Sequence, residues 1–479
     1  MRTARNILTV SFLAMGCARY RALPLDSAAE RAALASPDPE RIELEASRIR
    51  HPLLQPVHLD LAEGLTPDQA AVAAVLGNPG LRAVRDGRQL AEAQVVQAGL
   101  LPNPAFSFEH DQPTGSNPTG TVTGHSAQLD WDLNALWERG LKRRAAAAQA
   151  RAVDLGVAWQ EWQVAQAARV AAFHVLAAEE QLPLARTAMT EARTAMESWD
   201  RAAGAGAASG AASAASHAEY GQARQSLIRL EEAGTQAKQE LNGLLGLPPE
   251  APLPLRKAAP LPAWEDLPPE PDLVQGLGER RLDLLAFKQG YASRDTQLRL
   301  AIRQQFPPIG ILLDQARDTG GVVTLGLGAR LQLPFFDRNQ GHIAEERATR
   351  RQLYDEYQAR LFTARAQIAE LFARLAGIRK RIAAAEEALG SLEASAEAYG
   401  AAQETGAVDL VSAGKARLVY LAQALAVARL RAERADLGVQ LEVASGRYMP
   451  DGAIREAAPE PDPAQRPFVP PLRQESDPR

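Results

Sequence analysis

Cys17 is the only cysteine among 479 residues, and its surroundings point to acylation. A lone thiol excludes an intrachain disulfide. Arg2 and Arg5 form a basic start, Ile7 to Met15 is a short apolar run, and Gly16 places a small residue directly before the cysteine. That run is too short to cross a bilayer as a helix. The order reads as a lipoprotein signal peptide over residues 1–16, with Cys17 as the lipid-bearing (palmitate-type) mature N-terminus and Leu13 one place earlier than the preferred leucine. Ala18 rather than an aspartate fits sorting to an outer membrane. Cleavage would remove two arginines and no acid, taking the formal net charge from -5 to -7.

The remaining reactive side chains do not converge. The seven histidines are His51, His58, His110, His125, His174, His217 and His342, and none lies four residues from another. The helical histidine pair of many zinc sites is therefore missing. Met189, Met196 and Met449 make no soft-metal ladder, and the spacing of the first two suits helix packing. The glycines around Gly326-Leu327-Gly328 lie inside an alternating strand with no helix directly after them, so they form no phosphate loop. A mildly acidic chain gives no reason to expect nucleic acid. No catalytic constellation, resident metal or cofactor is expected, and the chain does not read as an enzyme.

Four short segments alternate with period two, the mark of strands with two different faces. Phe106 and Phe108 oppose Ser107 and Glu109. Ala127, Leu129, Trp131 and Leu133 oppose Ser126, Gln128, Asp130 and Asp132. Ile309, Ile311 and Leu313 oppose Gly310 and Asp314, with Leu312 an exception. Val323, Leu325, Leu327, Ala329, Leu331 and Leu333 oppose Thr324, Gly326, Gly328, Arg330 and Gln332. The last run is close to the ~9–11 residues of a tilted membrane strand. On this reading Trp131, Leu325, Leu327 and Leu331 face lipid, and Asp130, Asp132, Arg330 and Gln332 face a watery lumen. A soluble sheet with one face on a core would alternate too, but almost no apolar helix face is left to cover it. Open edges cannot face lipid, and single-chain barrels start at about eight strands. Several chains must therefore share one barrel: two would give eight strands and three would give twelve.

The strands need positioning elements, and the chain supplies them twice. Helix, strand, strand, long helix and helix follow one another in residues 61–247 and again in 273–448. Gly140 and Gly341, each opening a long helix, are 201 residues apart; Gly246 and Gly446, each closing one, are 200 apart. Constant spacing across a module indicates duplication. The long helices run from Trp137 to about Asp200 and from Asn339 to about Gly400, each on the order of 90 Å at 1.5 Å per residue. Their partners return from about Gly210 to Leu245 and from Val408 to Ser445. Thin apolar stripes, such as Val164, Phe173, Leu176 and Ala177 or Ile368, Leu371, Leu375 and Ile378, suit helix pairs wetted on their other side. A soluble antiparallel coiled-coil scaffold would share this feature but not the strands. Residues 17–60 read as a lipid-anchored irregular segment, 248–272 as a Pro-rich linker and 449–479 as a disordered Pro-rich tail. No run beyond the signal approaches a transmembrane helix.

With these features in hand, the chain resembles the TolC-like outer-membrane efflux proteins over roughly residues 60–448. The resemblance is carried by Asn78–Pro104, Leu241–Pro248, Ala398–Leu418 and above all LQLPFFDRNQGHIAEERATR, Leu331–Arg350, which is also similar to the heavy-metal cation efflux branch. Leu282 stands where the second repeat of such proteins usually has a proline. The resemblance implies a homotrimer: a 12-stranded β-barrel in outer-membrane lipid on a 12-helix periplasmic tube. It implies a passive duct whose tip docks on a periplasmic adaptor linked to an inner-membrane efflux transporter. A type I protein-secretion duct has the same architecture. The tip residues would be Gly204, Ala205 and Gly206 in the first repeat and Thr405, Gly406, Ala407 and Val408 in the second, with Gly204–Ala208 the counterpart of Thr405–Asp409. Asp409 has two compatible readings: a cap on the helix starting at Leu410, and one of three carboxylates ringing the periplasmic entrance, where crowding would raise their pKa.

Overall fold

The computed structural model describes residues 20–59, 63–114, 120–256 and 267–449, so Cys17 and residues 450–479 lie outside the described residues. Contacts divide the chain after Asp38. In the first unit, α1 (Ser27–Leu34) is capped by Asp26, whose carboxylate accepts from the Ala28 and Ala29 N–H groups, and buries no residue.

The second unit begins with α2 (Pro39–Ala46) and α3 (Pro67–Gly77), the latter opened by a capping box between Thr66 and Gln69. Asn78 then ends α3 and caps α4 (Pro79–Ala98), because a residue before proline resists the helical conformation. Strands β1 (Ala105–Asp111) and β2 (Gly124–Asp132) lead into α5 (Asn134–Gly204) and α6 (Gly210–Leu245). The second pass has α7 (Glu270–Val274), α8 (Leu277–Arg280) and α9 (Leu282–Arg303), then β3 (Ile309–Arg317), β4 (Val323–Leu331), α10 (Gln340–Glu404) and α11 (Leu410–Ser445).

α5 has 71 residues and α10 has 65, so each is about 100 Å long. α5 continues through Pro183. The anticipated stripes pack inward. Phe173 and Leu176 join Val72, Leu241, Leu245 and Val439 in one cluster, and Ile368, Leu371, Leu375 and Ile378 join Leu273, Leu284, Leu437 and Leu441 in another. Each fully buried leucine or isoleucine contributes roughly 1.5–3 kcal/mol.

The duplication extends to how the modules are clasped. Gly246 and Gly446 both end their helices in the left-handed region, at φ 73° and 67°. Asn78 donates its side-chain N–H to the Leu244 carbonyl at 3.0 Å, and Arg281 donates to Ala444 in the second repeat at 3.3 Å. A Cβ on Gly246 would lie 2.5 Å from the Gly77 oxygen, so these backbones meet only because both residues are glycine.

Two expectations need correction. Residues 20–59 are not irregular: α1 and α2 form there, and Ile42, Ala46, Leu54 and Leu59 are buried. Contacts with distant helices order the stretch from α2 onward. Met449, expected in the tail, is buried against the first cluster. The stretch from Leu273 to Gln304 is helical with breaks at Gln275–Gly276 and Arg281. Among the described residues, α11 is also long and apolar enough to pass for a membrane span, with a mean hydropathy of 1.2. α11 packs along α10 and α5.

Candidate functional site

The four strands form one antiparallel sheet in the order β1-β2-β3-β4. β1 and β4 are its edges, with no strand beyond either among the described residues. Residues directly opposite each other share a face, so the register decides which side chains act together. Phe106, Leu129, Leu313 and Leu327 form one continuous rung, and Trp131, Ile311 and Ala329 form the next. This face is uncovered: Phe106 is 68% exposed, Leu325 78% and Leu327 82%. Apart from His110, His125, Gln315 and Arg317 toward the strand loops, this face is apolar, and so much uncovered leucine and phenylalanine marks a surface suited to an apolar environment. The four residues expected to face lipid, Trp131, Leu325, Leu327 and Leu331, all lie here.

The opposite face carries Ser107, Glu109 and Asp111 on β1, Ser126, Gln128, Asp130 and Asp132 on β2, Asp314 on β3, and Thr324 and Arg330 on β4. Asp130, Asp132 and Arg330 are therefore together on the polar side, and Gln332 lies one residue beyond β4. Five acids face one base, so this surface attracts cations. Asp132 also accepts the Asn134 N–H at 2.8 Å, just ahead of α5. Glycines make room for the charges. A Cβ on Gly326 would lie 2.3 Å from Asp314 Oδ1, and the Arg330 guanidinium passes over Gly310 to pair with Asp130.

At the far end of the helices the two turns share one geometry. Ala207 donates its N–H to Ala202 and Ala407 to Ala402, both at 2.8 Å, while Gly206 and Gly406 take φ 70° and 74°. This left-handed closure is how helices commonly end at glycine. Ser209 caps α6 as Asp409 caps α11. The counterpart of Thr405–Asp409 is thus Ala205–Ser209, one residue later than the expected Gly204–Ala208. Asp409 Oδ1 accepts the Ser412 N–H at 2.9 Å and Oδ2 the Ser412 hydroxyl at 2.7 Å. The hydroxyl bond, then the backbone bond, hold its carboxyl below the usual range. Within one chain the cap thus works against the elevation expected from crowding.

Two buried ionic clusters had not been anticipated. Arg169 on α5 pairs with Glu442 on α11 and, at 2.7 Å, with Asp68 on α3; Gln166 donates to Glu442 at 2.7 Å. Its guanidinium lies 5.2 Å from the Tyr448 ring centre. Burial pushes the Glu442 carboxyl up, against the pull of Arg169. Nearby, Glu161 receives Arg85 at 2.6 Å and Arg88 at 3.3 Å. His51 is sealed beside them: Nδ1 accepts the Leu53 and Leu54 N–H groups, each at 3.1 Å, and Nε2 meets the Ala158 carbonyl at 3.0 Å. Two donors at Nδ1 require the neutral ring protonated on Nε2. Burial lowers its pKa, assisted by Arg88 and Arg85 and opposed by the Ala158 bond and Glu161. A lone arginine within the otherwise apolar run Ala167–Phe173 was the signal for the first cluster. No group of three metal-ligating side chains occurs among the described residues.

A two-faced sheet with free edges, carried on paired helices about 100 Å long, defines the class: the fold is that of outer-membrane channels. The chain aligns with a solved structure of CusC, described as forming a transmembrane channel, with TM-score 0.64 and 16% identity, covering 86% of this chain and 99% of that one. It aligns with the Campylobacter jejuni CmeC outer membrane channel with TM-score 0.65 and 15% identity, covering 84% and 91%. Residues 273–447, the second repeat, match the family model Outer membrane efflux protein. It is also 24% identical over 302 residues to the cobalt-zinc-cadmium resistance protein CzcC of Cupriavidus metallidurans, covering 63% of this chain and 70% of the relative.

Proposed function

We propose that the protein is the outer-membrane channel component of a tripartite efflux pump, a passive duct for heavy-metal cations. The observation that carries this reading is the four-stranded sheet with an uncovered apolar face, an acidic face and two free edges. Neither edge can remain open in lipid. Pairing β4 of one copy with β1 of the next satisfies both, and three copies close a 12-stranded barrel. Phe306, Phe335 and Phe336 are exposed where the strands meet the helices, the level at which barrels carry aromatic girdles. The helical hairpins would form the periplasmic tube, and residues 205–209 and 405–409 its tip, which meets a periplasmic adaptor joined to an inner-membrane transporter. Asp409 contributes three carboxylates there while still capping α11. Cys17 tethers the assembly to the inner leaflet; palmitate labelling that persists in Cys17→Ala would remove that element alone.

The metal cargo is supported by the acidic strand face and by similarity to a cobalt-zinc-cadmium resistance protein. Deleting the gene and measuring tolerance to cobalt, zinc and cadmium beside dyes and antibiotics tests it. Loss of metal tolerance alone is the expected result. Unchanged tolerance to every compound, with loss of a secreted protein, would replace the reading by a type I secretion duct.

A further inference from the structure

The polar face of the sheet carries a single base, and its placement is specific. Arg330 stands on β4, reaches across β3 where Gly310 offers no side chain, and pairs with Asp130 on β2. A Cβ on Gly310 would touch the guanidinium nitrogens at 3.6 Å, so anything longer than alanine would close the passage. Asp130 is 19% exposed, and its second oxygen has no hydrogen-bond partner among the described residues. Although Arg330 shares a rung with Asp132, its ion pair is with Asp130, and among the described residues no ion pair is seen for Glu109, Asp111, Asp132 or Asp314. One carboxylate is thus neutralised from within while the others stay open.

We propose that Arg330 is a selectivity-setting residue of the duct, a tethered counter-ion that keeps Asp130 from retaining the cations passing it. The inference rests on the polar face being the lumen. A conducting site must attract ions yet bind them weakly enough to let them go. With Arg330 in place, three copies of the pair would hold three acids out of service at the helix-proximal end of the barrel. Without it, each copy's Asp130 would face the pore unneutralised and would retain passing divalent ions more strongly.

The test uses the full-length protein in planar bilayers. Arg330→Gln should raise the potassium-over-chloride permeability ratio and let zinc block the current at a concentration on the order of tenfold lower than in wild type. Gly310→Val, which obstructs the passage without removing the charge, should shift zinc block in the same direction. Arg330→Gln/Asp130→Asn should return it toward wild type. Unchanged zinc block in both single variants overturns the proposal. Gln128→Cys separates this from failure of the lumen reading: a charged thiol reagent should reduce its current. If the reagent acts there and Arg330→Gln is silent, only the role of Arg330 falls; if the reagent has no effect, the lumen assignment falls first.

Discussion

Leu327→Arg is the perturbation for which the structure gives the most definite magnitude. Leu327 is the central residue of the nine in β4, on the rung with Phe106, Leu129 and Leu313, and it is 82% exposed. In a membrane barrel that rung falls at mid-bilayer, where an arginine on the lipid face costs about 2–4 kcal/mol. At tenfold per 1.4 kcal/mol, the ratio of assembled to unassembled protein should fall about 30- to 700-fold. Gly328→Arg is the matched control. A Cβ there meets Leu312 only at 3.5 Å, and the new charge points to the polar face. Heat-modifiable migration and urea unfolding in lipid vesicles read both variants. Equal effects, or a larger loss in Gly328→Arg, would show that the assignment of faces to lipid and lumen is wrong.

Arg169→Met should leave Glu442 buried without its cation and destabilise the fold by about 3–5 kcal/mol; adding Glu442→Leu should recover much of the loss, measured by denaturant midpoint. His51 is held neutral in the fold and titrates near 6.5 when unfolded, so the unfolded state binds the extra proton. Its contribution is present above that pH and is lost as pH falls toward its lower folded value. His51→Asn keeps an acceptor for the Leu53 and Leu54 N–H groups and does not titrate, so its melting temperature should fall less than wild type between pH 7.5 and 5.5; parallel curves would refute the role. Gly406→Val forces a β-branched residue to φ 74° and should abolish resistance while membrane trimers persist. Intact transport would place the adaptor contact elsewhere.

Period and spacing made much of this architecture legible. The alternation from Val323 to Leu331 separates the two faces of β4 before any pairing is known, because neighbouring strand residues point to opposite sides. The long helices show as alanine-rich runs without strong stops. What escaped depends on contacts between distant positions. Arg169 and Glu442 lie 273 residues apart, so Arg169 within an apolar run hints at burial without naming its partner. Ile42 and Ala46 lie in a polar stretch whose order comes from packing beside α3. The tip correspondence is fixed by Gly206, which takes the left-handed conformation as Gly406 does, and a backbone conformation is not readable from a run of Gly and Ala. Arg330 was legible as a polar-face residue, but its passage over Gly310 required the register of three strands.

The most direct test of the central claim is the current carried by the purified full-length protein in a planar bilayer under a potassium chloride gradient. A barrel with five acids and one base on each chain's polar face predicts discrete conductance steps and a reversal potential displaced toward that of potassium. Trimeric protein inserted in the bilayer that gives no steps, or steps reversing toward the chloride potential, would contradict the account.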